Sequence, residues 1–410
     1  MAVAPRRRPD ACDPIAIGER VASWTRTSDL TAIEAATEGW GEPQWAAARA
    51  VTEIHGVGPL LHTRLPERSA AQWPDGLARF REFVRRTYAL NQQRAALWLE
   101  QLRAVADLAR RVNVTAVAMK GAAFVPFLMD DPALRPVADI DLLVEPGGHE
   151  PLGRALEGIG YVYERSTGRH HVHFLASHGR EAISPLGEDP RNPLRLELHE
   201  HARQEVLGLV FDATMSFRDT ARPQTLGAAT ELIVPARHVV LKHVLFHAAQ
   251  DMVLRGGRLT RLYDIALLAD HLDERGWGAL VDAAGRQHVE PFFFAALDFT
   301  DRYVRPCAPR GVLDTLAAAT PDRTRQLIAR TPFSSFSRCA SGQSNLRRAA
   351  TMLRWARSRG EQLSMLRRLL WPTRSELEDF FGADRAPGLA WYYRKQAGLA
   401  GKTPKASVPR

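Results

Sequence analysis

Cysteine is scarce in this chain: three residues in 410, at positions 12, 307 and 339. An odd number of widely spaced thiols excludes a disulfide framework and a thiolate zinc site, and fits a reducing cytoplasm, the compartment expected here. Long apolar runs are missing too. No stretch reaches the ~18 uninterrupted apolar residues of a membrane-spanning helix. The N-terminal Met1-Ala-Val-Ala-Pro-Arg-Arg-Arg8 carries charge without the apolar core of a secretory signal. There is no Gly-x-Ser-x-Gly elbow of a serine hydrolase and no Gly-x-x-x-x-Gly-Lys-Ser/Thr phosphate loop. Gly401-Lys402-Thr403 ends like such a loop, but Gln396 stands where its first glycine belongs. No fixed repeat period is visible.

What is present is an ordinary globular mixture, 45% apolar and 25% charged, at a length that suggests two to three domains. The net charge of +9 is uneven: residues 331–410 hold 15 Lys plus Arg against 5 Asp plus Glu, so the rest of the chain is close to neutral. A solvated arginine-rich helical surface accounts for this, and contact with a polyanion is the sharper alternative.

Apolar positions from Asp75 to Val112 recur at three- and four-residue steps and predict helix, with a break near Asn91 dividing it in two. Val114–Met119 is β-branched and apolar and reads as a buried strand. Lys120-Gly121 follows, then a short apolar helix over Ala122–Met129, ended before Pro132. Further strands are expected at Ala138–Val144, Tyr161–Glu164, His170–Ala176 and Arg195–Glu200, with a helix over Gly147–Gly158. After Glu231 the pattern is helical again. The expected divisions are 1–74, unassigned; 75–111, helices; 112–225, a small α/β unit; 226–330, a helical domain; and 331–410, a basic helical segment with a frayed tail.

The chemistry concentrates between Met119 and Val144. Asp139 and Asp141 are two apart on a strand, so their carboxylates share a face, with α-carbons about 6.6 Å apart. Two like charges there are costly unless neutralised, and Mg²⁺ or Mn²⁺ does so. An exposed edge strand is the plainer alternative for a bare Asp-x-Asp. In Leu196-Glu197-Leu198-His199 the strand alternates again, with Glu197 and His199 opposite the leucines.

Strand, glycine turn, short helix and Asp-x-Asp strand together resemble the nucleotidyltransferase superfamily with a polymerase-beta-like fold. The closest likeness is to a bacterial branch with Lys-Gly in place of Gly-Ser. The matching residues are Lys120-Gly121, Arg135, Asp139-Ile-Asp141-Leu-Leu-Val144, Leu196-Glu-Leu-His199 and Arg258-Leu-Thr-Arg-Leu-Tyr-Asp264, within roughly residues 80–380. The resemblance implies an α+β fold: a small nucleotidyltransferase-type unit with a mixed sheet, flanked by helices and followed by a helical domain. It also implies transfer of a nucleoside monophosphate from a nucleoside triphosphate to an acceptor of unknown kind.

Asp139, Asp141 and Glu197 are then the metal ligands, Glu197 serving as third ligand or as base for the acceptor's proton. Gly121 opens a helix whose N–H groups favour phosphate, Lys120 reaches the β- or γ-phosphate, and Arg135 pairs with phosphate or with the aspartates. The missing serine removes the superfamily's usual hydroxyl contact to the triphosphate. A non-catalytic binding protein of the same fold, or an RNA-modifying toxin-like protein, are the alternatives. Asp264 reads as a structural residue, capping or pairing with an arginine. His170, His171, His173, His178, His199 and His201 crowd into 32 residues, but none shows the spacing of a helical zinc motif, so a histidine-metal site is set aside. His243 and His247, four apart on a helix, read as core-edge or surface residues.

Overall fold

Apolar strand segments and their partners build a seven-stranded mixed sheet in the order β3-β4-β5-β2-β1-β9-β8. The strands are β1 (Ala116–Ala118), β2 (Asp139–Val144), β3 (Tyr161–Ser166), β4 (His171–Ala176), β5 (Arg195–His199), β8 (Arg222–Leu226) and β9 (Thr230–Val234); β6 (Arg203–Val206) and β7 (Leu209–Asp212) form a separate two-stranded ribbon. The computed structural model describes residues 13–65, 73–166, 171–176, 192–206, 209–226, 230–254, 256–340 and 350–370. β2 runs antiparallel to β1 and parallel to β5, and β1 runs parallel to β9. The fold class is therefore α+β with a mixed sheet, as the family resemblance implies. Among the described residues no helix is long and apolar enough to cross a membrane.

Four short helices precede the sheet: α1 (Pro14–Trp24), α2 (Leu30–Thr37), α3 (Glu42–His55) and α4 (Gly58–Arg64). They have ordinary start signals, such as the Asp13 and Asp29 side chains accepting from the first turns of α1 and α2. Trp24, Trp45 and Phe80 are buried together, with ring centroids 5.5–6.3 Å apart. Phe80 belongs to α5 (Asp75–Arg111), one unbroken helix of 37 residues. The break expected near Asn91 is absent: Asn91 is buried and its amide donates to the Ala133 carbonyl, so a polar residue that looks like a helix breaker instead anchors a neighbouring turn.

Two other expectations change. The helix expected over Ala122–Met129 is a four-residue 3₁₀ turn, Lys120–Ala123, followed by α6 (Val125–Leu128), because Phe124 leaves helical geometry between them. The segment after Glu231 does not turn helical at once. Thr230–Val234 is β-branched and alternates buried with less buried positions, and it pairs with both β1 and β8 before Pro235. The helices that follow are α7 (His149–Gly158) and α8 (Thr214–Thr220) within the sheet region, then α9 (Arg237–Leu254), α10 (Leu259–Ala269), α11 (Glu274–Gln287), α12 (Glu290–Tyr303), α13 (Arg310–Ala318), α14 (Asp322–Arg330) and α15 (Arg359–Leu370). In α15, Arg368 pairs with Glu205 on β6. The tail expected to fray lies outside the described residues.

The N-terminal helix closes on α12 and the turn at Phe333–Phe336. Glu19 accepts from the Tyr303 hydroxyl and from the Ser334 N–H. α1 approaches so closely that a Cβ on Gly18 would come within 2.4 Å of the Ser334 Oγ. Beside this contact His55 is fully buried against Phe333 and Cys339. Burial, with Arg258 adding to it, pushes its pKa down to about 3. The unfolded chain therefore binds a proton here that the folded chain refuses between pH ~6.5 and ~3. Stability contributed by the neutral ring is complete above pH ~6.5 and is lost as pH falls through that window, by on the order of 3–5 kcal/mol. His55→Leu is expected to flatten that acid limb in urea melts run from pH 7 to pH 4; an unchanged limb would assign the acid sensitivity elsewhere.

Candidate active site

α5 sets the geometry of the site from behind. Arg94, buried on that helix, donates to the carbonyls of Val137 and Ala138 before β2 and to those of Asn192 and Pro193 before β5. Trp98 donates to the Asp139 carbonyl at 2.8 Å. One helix thus clamps the beginnings of two parallel strands, and the register follows: Asp139 opposite Arg195, Asp141 opposite Glu197. Because side chains alternate, Asp139, Asp141, Glu197 and His199 occupy one face while Ile140, Leu142, Leu196 and Leu198 are fully buried on the other.

The polar face is a charged cluster largely shielded from water. Asp141 is 2% exposed, and its Oδ1 receives the Lys120 ammonium at 2.6 Å and lies 3.0 Å from His199 Nε2. Glu197 Oε1 lies 3.2 Å from His173 Nδ1, and its Oε2 is 3.8 Å from His199 Nε2. Burial alone would raise the Asp141 pKa, but Lys120 and the His199 hydrogen bond outweigh it and hold the carboxyl below its usual value. Asp139 goes the other way. Burial first, then repulsion from Asp141 and Glu197, raises its pKa to about 6, although Lys120 and Arg261 oppose this. For Lys120, burial would lower the pKa, and the attraction of Asp141, Glu197 and Asp139 reverses that and raises it. Three carboxylates thus share one electrostatic field around one ammonium. Asp141, Glu197 and His199 each offer a ligand atom within 4.8 Å of one another, close to the about 3–4 Å spacing of neighbouring ligands on a divalent ion. The donor set fits one such ion.

Lys120 carries a left-handed backbone, φ 45°, a conformation that costs an ordinary side chain about 1–2 kcal/mol. The glycine beside it answers a different need. The Arg135 guanidinium packs over Gly121, where a Cβ would stand 3.0 Å from Nη1. Arg135 itself forms a two-pronged pair with Asp264, at 2.6 and 2.9 Å, and lies over the Phe124 ring. Asp264 on α10 is therefore an arginine partner, one of the two structural roles read for it. The turn at Lys120–Ala123 is too short to present the helix N-terminus that the sequence suggests.

Several residues join the site that the motifs alone did not assign to it. His199 and His173 lie beside the carboxylates, although the sequence reading set the crowded histidines aside as a metal site. The side chains of His170, His171 and His178 lie outside the described residues. The signal for His199 was its shared face with Glu197. From α9, the buried His243 stands within the field of Lys120 and His199 and contacts Gln204 at 2.8 Å. Burial, then the neighbouring Lys120 and His199, pushes its pKa down to about 3. His247 is held well below its ordinary value by burial and then by Arg261, whose guanidinium lies 3.4 Å from it and 3.6 Å from Asp264. α9 and α10 thus add a polar wall of His243, His247 and Arg261.

Comparison with known proteins bears on this arrangement. Residues 41–305 match the family described as uncharacterised nucleotidyltransferase. A crystal structure of an antigenic nucleotidyltransferase-like protein from Paracoccidioides brasiliensis is similar over 53% of this chain and 96% of its own, at 16% identity and a TM-score of 0.30, and it lends no residue role. No curated protein matches the chain.

Proposed function

This chain belongs to the family of uncharacterised nucleotidyltransferases, and on that premise we propose that it moves a nucleoside monophosphate from a nucleoside triphosphate to an acceptor oxygen. The observation that carries the reading is the pairing of Asp141 with Glu197 on adjacent parallel strands, with Asp139 and Lys120 in the same field. In the transfer, the acceptor oxygen bonds to the α-phosphorus and the bond from that phosphorus to the β-phosphate oxygen breaks. The bonding pair departs with pyrophosphate. The acceptor's proton passes to a carboxylate of the cleft, a task within reach of Glu197, beside which His173 Nδ1 lies at 3.2 Å. Asp139, Asp141 and Glu197 would hold a divalent cation, Mg²⁺ or Mn²⁺, which when bound would supply positive charge to offset that on the phosphate oxygens. Lys120 and Arg261 add positive charge facing the triphosphate. Arg135 acts through Asp264, holding the turn before β2 against α10.

The acceptor, a small molecule, protein or RNA, would approach along the wall formed by α9 and α10. The test is a screen of the four labelled ribonucleoside triphosphates with Mg²⁺ or Mn²⁺ against acceptors from cell extract, with parent and Asp141→Asn in parallel. Label incorporation that needs the cation and vanishes in the variant supports the proposal. Equal labelling by the folded variant, or none by either with any triphosphate, removes it.

A further inference from the structure

We infer that the cation centre of this chain consists of two carboxylates and one imidazole, Asp141, Glu197 and His199, with the Lys120 ammonium as its resident competitor, so that first-row transition ions bind in preference to Mg²⁺. This rests on the reading of the cleft as cation-dependent and changes which residues carry the cation: His199 enters the set and Asp139 leaves it.

The geometry argues for His199. Its Nε2 is 3.0 Å from Asp141 Oδ1 and 3.8 Å from Glu197 Oε2, and the three ligand atoms converge within 4.8 Å. β5 brings it there by alternation: Glu197 stands opposite Asp141, and His199, two residues on, stands opposite Leu143 and reaches back across the pair to Asp141. His173 Nδ1 lies 3.2 Å from the other oxygen of Glu197, on the outer side of the set. Asp139 lies at the opposite end of the same face, across from Arg195. It is not in the convergent set found among the described residues, and Arg261 is in its field.

The chemistry of the donors then sets the ion. Mg²⁺ takes oxygen ligands and parts with its water reluctantly. An imidazole nitrogen contributes far more to transition ions, whose affinities for nitrogen sites rise along the first row. Lys120 matters because its Nζ occupies Asp141 Oδ1 at 2.6 Å, the same oxygen that His199 faces. The ammonium neutralises the cleft, and an arriving cation displaces it from that oxygen.

The experiment is Mn²⁺ titration of the full-length protein without nucleotide, followed by electron paramagnetic resonance, with pulsed spectra reading nitrogen coupling to the bound ion. Expected are a histidine-type ¹⁴N coupling in the parent and its loss in His199→Gln, with Mn²⁺ affinity weakened about tenfold or more. Also expected are tighter Mn²⁺ binding by Lys120→Met, retention of the coupling in Asp139→Asn, and displacement of Mn²⁺ only by a large excess of Mg²⁺. A parent without Mn²⁺ binding or without the coupling overturns the proposal, as does a coupling unchanged in His199→Gln. Should His199→Gln not fold, Asp139→Asn and Asp141→Asn decide: equal loss of Mn²⁺ affinity in both restores the aspartate pair and overturns the assignment. No step of this test measures transfer. A nitrogen-coupled ion in a protein that labels no acceptor therefore overturns only the proposed function, and active transfer with no such coupling overturns only the assignment of His199.

Discussion

Asp141→Asn is expected to reduce cation-dependent transfer by at least about 10²–10³-fold, the scale of losing one preorganised electrostatic element. Asp141 is the most constrained of the three carboxylates. It is 2% exposed, and one of its oxygens serves both Lys120 and His199. Read from the Asp-x-Asp pattern alone, the substitution relieves like-charge repulsion and leaves stability equal or higher. The structure reverses that sign, because the nearest charge to Asp141 is the half-buried Lys120 ammonium. Removing the carboxylate weakens a shielded ion pair, while Glu197 and Asp139 stay in the field of Lys120 and limit the damage. A loss of about 1–3 kcal/mol is expected. Since the Asp141 pKa is depressed in the folded chain, its contribution is fully present above the unfolded value near 3.9 and disappears as pH falls below it. Urea melts of parent and variant should therefore differ at pH 7 and converge toward pH 3. A variant as stable as the parent at pH 7, with transfer intact, would separate Asp141 from both roles.

Arg135→Ala is expected to destabilise the fold by about 3–5 kcal/mol, the cost of stranding one partner of a buried ion pair. Asp264 has a side chain 3% exposed and, among the described residues, would keep Arg261 at 3.6 Å. Arg135→Lys is expected to recover little, because one ammonium cannot replace the two-pronged guanidinium contact and does not lie flat over Phe124. The double variant Arg135→Met, Asp264→Leu is expected to regain most of the lost stability, since neither charge is then left alone. Urea denaturation of the four proteins gives the answer. If Arg135→Ala unfolds with the parent but binds triphosphate poorly, Arg135 is a phosphate ligand, as its place in the sequence motif implies.

These two residues show where reading the sequence stops. The period-two alternation of Asp139-Ile-Asp141-Leu and Leu196-Glu197-Leu-His199 is a local property, because a strand can present those side chains in only one way once its leucines are buried. The same holds for the helical stripe of α5 and for the β-branched run before Lys120. The family resemblance carried the inference that the two acidic strands belong to one unit. Their alignment residue for residue was not legible, since Arg94 enforces it from a helix about a hundred positions before Asn192 and Pro193, and an arginine between apolar positions looks like solvent-facing charge.

By itself, then, the sequence determined the chain's acidic face and the strands that carry it, because burial and side-chain alternation act over a few residues, while the α+β class and mixed sheet came from the family resemblance. Only the tertiary structure decided which charges meet. It set Arg135 on Asp264, Lys120 on Asp141, and His199 between two carboxylates, and it turned Thr230–Val234 into a strand beside β1. Those outcomes depend on electrostatic pairing and strand partnership across distances in sequence that no local pattern spans. In a shielded cleft an ion pair gains far more than at the surface, so the fold, not the order of residues, selects each charge's partner.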